Sequence, residues 1–142
     1  MPVNEERLGA ILAQLRERGG RVTTPRRAIV AELLRAEGHV TADELALRVR
    51  ARYPDVSEST IYRTLNVLSE FGVVRHVHLG HGPAVYHLAD EAHHHLVCES
   101  CGLVIEVPAA VLGGLRRRLV REYGFHLDAA HFALAGRCPA CA

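Results

Sequence analysis

Residues 57–88 read SESTIYRTLNVLSEFGVVRHVHLGHGPAVYHL, and the spacing of the apolar positions changes partway along. Ile61, Leu65 and Leu68 recur at helical intervals, which predicts a helix over 57–71 with Gly72 as its terminator. From Val73 the period drops to two. Residues 73–79 alternate, Gly80-His81-Gly82-Pro83 turns and 84–88 returns, which predicts a β-hairpin.

Upstream, Thr41-Ala42-Asp43-Glu44 has the form of a capping box, opening a helix through Leu45 and Val49 to about Tyr53. Thr24-Pro25 offers an N-cap followed by proline at the first helical position, ahead of Ile29, Val30, Leu33 and Leu34, with an end near Gly38. Leu8, Ile11, Leu12 and Leu15 mark one more helix over 4–18, stopped by Gly19-Gly20. Three helices and then a hairpin is the order of a winged helix, with an extra helix in front.

Downstream, residues 89–92 are short and polar and read as a hinge. A strand over 95–98 follows, then a turn at Ser100-Cys101-Gly102 and a strand over 103–107. Pro108 opens a helix with Val111, Leu112, Leu115, Leu119 and Val120 on one side, and a last strand covers 131–136. The fold class is therefore α+β: a winged-helix domain over 1–88, a hinge over 89–92 and a small α/β domain over 93–142. A unit of roughly 50 residues needs a metal or a partner chain to complete its core.

No run of about 18 apolar residues spans a membrane. The start, Met1-Pro2-Val3-Asn4-Glu5-Glu6-Arg7, lacks the apolar core of a signal peptide, so a cytoplasmic protein is expected. The net charge of +1 selects no partner, and the absence of lysine among the 17 basic residues reads first as coding bias.

The four cysteines and ten histidines carry the chemistry. Cys98-x-x-Cys101 and Cys138-x-x-Cys141 place thiolates in pairs on tight turns, as a structural zinc ion requires; a redox pair or free thiols compete with that reading. His76 and His78 share a face of a strand, either as a chelating pair or as a polar wing face. In the run His93-His94-His95 the outer two share one face and His94 the other. His87 lies near the hinge, His39 between two helices, and His126 and His131 flank the last strand. Ser57, Ser59, Thr60, Tyr62 and Arg63 make a polar helix face, suited to a major groove or simply solvated.

Three segments taken together, Thr24-Pro25-Arg26-Arg27, Ser59-Thr60-Ile61-Tyr62-Arg63-Thr64-Leu65 and His93-His94-His95-Leu96-Val97-Cys98-x-x-Cys101-Gly102, resemble the ferric uptake regulator family in the same order. Arg26 departs from the glutamine common there. The resemblance implies a homodimer that binds double-stranded operator DNA when loaded with metal. Its DNA contacts would come from Arg27, Ser57, Ser59, Thr60, Tyr62 and Arg63, its dimerisation from the second domain, and its structural Zn2+ site from Cys98, Cys101, Cys138 and Cys141. The family's hinge metal site maps onto His39, His87, His93 and His95. His87 stands where iron and peroxide sensors carry a carboxylate, and Gly113 where another family site has a glutamate. His76, His78 and His131 resemble the site of the nickel-responsive branch known from actinomycetes. All-nitrogen ligation suits nickel, copper or zinc better than iron or manganese.

The expectation is a nickel-responsive repressor with regulatory Ni2+, or Zn2+ or Fe2+ in its place, and neither an enzyme nor a binder of membranes or small organic substrates. Two rival classes are a zinc hydrolase, for which no H-E-x-x-H motif is present, and a zinc module that does not bind DNA.

Overall fold

The computed structural model describes residues 2–36, 39–79, 82–89, 93–128 and 133–142. They form two compact units, Met1–His76 with Ala84–Asp90, and Val77–Pro83 with Glu91–Ala142. Of the expected features, His81, His131, Gly38 and most of the hinge (90–92) lie outside the described residues.

The first unit begins with α1 (Glu5–Glu17), where Asn4 accepts the Arg7 amide at 3.0 Å and Leu8, Ile11, Leu12 and Leu15 are buried. Gly19 adopts φ 87, a left-handed conformation that costs a residue without Cβ little. It lets the Gly20 amide return to the Leu15 carbonyl at 2.8 Å, which closes the helix end. Arg18 then donates to the Phe71 carbonyl at 2.8 Å, tying this end to a distant helix terminus.

The second helix, α2 (Thr24–Ala36), starts one residue earlier than the Thr24 cap implies. The Thr23 hydroxyl accepts the Arg26 amide at 3.3 Å, so Thr24 and Pro25 both lie inside the first turn, where a missing N–H goes unnoticed. Strand β1 (Val40–Thr41) follows, then α3 (Ala42–Arg52), with Thr41 and Glu44 forming the full capping box. Helix α4 (Glu58–Glu70) is capped by the Ser57 hydroxyl on the Thr60 amide at 3.2 Å. The wing strands are β2 (Val74–Val77) and β3 (Val85–Leu88), and the sheet order is β1-β3-β2. Val40 pairs with Tyr86 and Thr41 with Val85, antiparallel.

Ile29, Leu45, Val49, Ile61, Leu65, Leu68 and Val74 are fully buried and gather α1 to α4 and the wing around one core. Across α2 and α3 the buried Glu32 carboxylate takes Arg35 at 2.6 Å and Arg52 at 2.7 Å, pairing a charge that burial alone would penalise. Leu65, 1% exposed, is a sensitive probe of this packing. Leu65→Ala is expected to cost about 2–5 kcal/mol, read as a lower urea midpoint at unchanged slope. A loss below about 1 kcal/mol contradicts its place in the core.

The second unit is a three-stranded sheet of order β5-β4-β6, made of β4 (His93–Cys98), β5 (Val104–Pro108) and β6 (Leu134–Gly136). Strands β4 and β5 are antiparallel, with His93 opposite Pro108 and Val97 opposite Val104, whereas β6 runs parallel to β4 with Cys98 opposite Gly136. Pro108 ends β5 instead of opening a helix. A single 3-10 turn (Ala109–Leu112) leads into α5 (Gly113–Tyr123). Of the expected apolar side, Leu112 is buried in the 3-10 turn, whereas Val111, Leu115 and Val120 are exposed and α5 has no buried residue.

Candidate metal centres and nucleic-acid interface

The cysteines meet because a turn and a parallel strand are both anchored on β4. Cys98 ends β4, and its amide and carbonyl bond the Leu103 carbonyl and the Gly102 amide at 2.8 and 2.9 Å, with Gly102 at φ 76. The parallel β6 delivers Cys138 beside Cys98, and the Glu99 amide locks the approach onto the Gly136 carbonyl at 2.9 Å. All four sulfurs lie within 4.8 Å of one another, with Cys101 and Cys138 Sγ 3.7 Å apart, and none is in a disulfide. A tetrahedral ion with metal–sulfur bonds of about 2.3 Å holds its sulfurs roughly 3.8 Å apart, so the donor set fits zinc.

The thiols divide unevenly. The Cys138 amide donates to Cys98 Sγ at 3.4 Å and is the chief reason the Cys98 thiol is lowered to about 6. Cys141 is pushed up to about 12, first by its bond to the Cys138 thiol and then by those to Cys101 and Cys98. Packed sulfurs that cannot all ionise together are what a divalent cation accommodates.

The histidines divide between the two units. In the first, His87 is buried, its Nδ1 lies 3.0 Å from the Leu88 carbonyl, and its ring centroid is 5.0 Å from that of the half-buried His39. His76 packs beside Tyr86, ring centroids 5.8 Å apart. In the second unit His78 is exposed, one residue beyond the end of β2. Its expected co-ligand His131 lies outside the described residues. His93 and His95 share a face of β4, with their Nε2 atoms 3.1 Å apart.

Glu106 joins them. It stands opposite His95 on β5, and donor atoms of His93, His95 and Glu106 lie within 4.8 Å of one another. Sequence reasoning missed this carboxylate. The signal was available in the tight C-x-x-C-G turn, which fixes the strand register and so puts residues 95 and 106 on one face. His94, on the opposite face of β4, is buried with no hydrogen bond to either ring nitrogen. Gly113, at the start of α5, brings no donor.

The polar face of α4 is arranged as follows. Ser57 Oγ lies 3.2 Å from Ser59 Oγ and 2.8 Å from Thr60 Oγ1, and the exposed Arg63 folds back on the Ser59 carbonyl at 3.4 Å. The Tyr62 hydroxyl donates to Asp43 at the start of α3, another partner that the sequence did not reveal. Arg27, on α2, pairs with Glu5 at 3.1 Å.

Comparison with known proteins bears on these features together. The model of the ferric uptake regulator family matches residues 17–135. The ferric uptake regulation protein of Bacillus subtilis is 33% identical, over 96% of this chain and 95% of that protein. The peroxide-responsive repressor PerR of Staphylococcus aureus is 28% identical, over 96% and 93%. The solved structure of a ferric uptake regulator from Pseudomonas aeruginosa with manganese superposes with a TM-score of 0.72 at 36% identity, covering 89% of this chain and 96% of that one. With an α+β fold, a four-cysteine cluster and a match along most of its length, the chain belongs to the ferric uptake regulator family, a family of regulators and not of enzymes.

Proposed function

We propose that this chain is a cytoplasmic, metal-dependent transcriptional repressor that binds operator DNA as a homodimer, and that nickel is its metal. Residues 1–88 read DNA, 93–142 dimerise, and residues 89–92 are the hinge between them. The observation that carries the reading is the division of donors: His39 and His87 are paired in one unit, and His93, His95 and Glu106 are clustered in the other. Neither set completes a coordination sphere alone. A cation that takes ligands from both restricts the hinge, and so favours the arrangement in which two recognition helices meet two half-sites.

In this reading Cys98, Cys101, Cys138 and Cys141 hold a structural zinc that supports the second unit. Ser57, Ser59, Thr60, Tyr62, Arg63 and Arg27 make the DNA surface. Dimerisation is supported by the apolar surface of the second unit: Val111 is 58% exposed, Leu115 46% and Tyr123 74%, and β5 lies at a sheet edge with Ile105 also exposed. Large apolar surface of this kind is covered by a partner in soluble regulators. No helix among the described residues is long and apolar enough to cross a membrane.

Nickel is favoured by the nitrogen donors His76, His78 and His131, and by His87 in place of a carboxylate. Glu106 favours a second reading, zinc or iron, because it adds an oxygen to a donor set expected to be all nitrogen. Fluorescence anisotropy decides between them. Protein that keeps its cysteine-bound zinc is titrated, on DNA from its own upstream region, with buffered nickel, zinc, ferrous iron and manganese. Binding at the lowest free concentration with nickel, lost in His76→Ala, is expected. Binding first with zinc or iron overturns nickel and leaves the repressor.

A further inference from the structure

We infer that Asp43 is a positioning residue for DNA reading: its carboxylate holds the Tyr62 hydroxyl and so fixes how the recognition helix presents that ring. The inference rests on the reading of α4 as the helix that enters the groove. Tyr62 lies on the polar side of α4 with the exposed Ser59 and Arg63, is itself half-buried, and its hydroxyl donates to Asp43 of α3, nineteen positions earlier. That bond is the chief reason the phenol is pushed up to about 12, so it stays a neutral donor at any physiological pH.

The side-chain cap of α3 is made without Asp43. Thr41 and Glu44 complete the capping box between them, at 3.2 and 3.1 Å. The Asp43 carboxylate is exposed, and a bare negative charge beside a phosphate backbone opposes binding to any duplex. Its two effects on DNA are therefore opposite. By holding the tyrosine it removes the ring's rotational freedom before contact, which aids the specific complex. By its charge it disfavours every loosely seated one. Together they raise the ratio of specific to non-specific binding, the quantity on which a regulator depends.

The test uses the full-length metal-loaded protein, a duplex that the wild type selects from random-sequence DNA, and a scrambled duplex of equal length. Dissociation constants are measured for wild type, Asp43→Asn, Tyr62→Phe, the double variant and Arg63→Ala, each with its circular dichroism melt. Asp43→Asn replaces the charged acceptor of the tyrosine hydroxyl with a neutral amide oxygen and is expected to weaken binding to the selected duplex roughly fivefold, the scale of the difference between a charged and a neutral acceptor. Binding to the scrambled duplex should be unchanged or tighter. Tyr62→Phe should show a similar loss, and Asp43→Asn should add nothing in the Tyr62→Phe background. Wild-type affinity in Asp43→Asn, or the same loss whether or not Tyr62 is present, overturns the inference. Wild-type affinity in Arg63→Ala as well removes the recognition-helix reading and the inference with it, a failure told apart by that control.

Discussion

Cys98→Ser is expected to remove the structural zinc and unfold the second unit. The reason lies in where the buried residues are. The clustered apolar core belongs to the first unit, whereas among the described residues the second contributes to the buried hydrophobic set only Val77, Val97, Cys98, Leu112 and Cys138. Two of those are the cysteines themselves, and α5 adds none. Strand β6 is only 3 residues long and is held beside β4 by its pairing and by the cysteine cluster that follows it. Structural zinc contributes about 10–16 kcal/mol in small zinc-folded peptides, which exceeds or matches the whole stability of an ordinary domain. Elemental analysis with a circular dichroism melt checks the expectation. The variant should carry no tightly bound zinc and lose sheet signal, while a melting transition from the helical first unit persists. A zinc-free variant that melts like the wild type would show that the cluster does not hold this unit together.

His95→Ala is expected to abolish regulatory metal binding while the cysteine-bound zinc stays in place. His95 is 2% exposed, opposes Glu106 across β4 and β5, and shares its face with His93. Loss of a supporting group around a metal costs about 10–100-fold in affinity, so loss of a direct ligand should exceed about a hundredfold. Glu106→Gln keeps the shape and removes the charge, and a loss of roughly tenfold is expected. His94→Ala is the informative control, because its neighbour in sequence points to the other face of the strand. Its metal affinity should match the wild type. Competition against a chelator of known affinity measures all three. Equal losses in His94→Ala and His95→Ala contradict the assignment of one face of β4 to the metal.

What the sequence revealed was whatever has a local cause. The Thr41–Glu44 box caps its helix through contacts three residues long, and the wing announces itself by a change of period. Cys98, Cys101, Cys138 and Cys141 were legible as one site because paired C-x-x-C turns have little other use in a chain of this composition. What it hid depends on long-range register. Strand β1 has 2 residues, too few for any period, and exists only as a partner of β3. Glu106 comes within reach of the His93–His95 donors only through its position opposite His95. Asp43 and Tyr62 meet because α3 and α4 cross, which neither helix encodes alone. The apolar stripe of α5 was legible as a stripe, but not which of its positions stay exposed, because periodicity shows that a face is apolar and not what covers it.

The most direct test of the account is the affinity of the zinc-retaining protein for its operator with and without regulatory metal, followed by removal of that metal with a mild chelator. Metal should tighten binding at least about tenfold, within the usual range of coupling between two sites, and the chelator should reverse it. By linkage the operator should tighten metal binding by the same factor. Equal affinity for the operator in the loaded and stripped states would contradict the claim that metal at the hinge controls DNA binding.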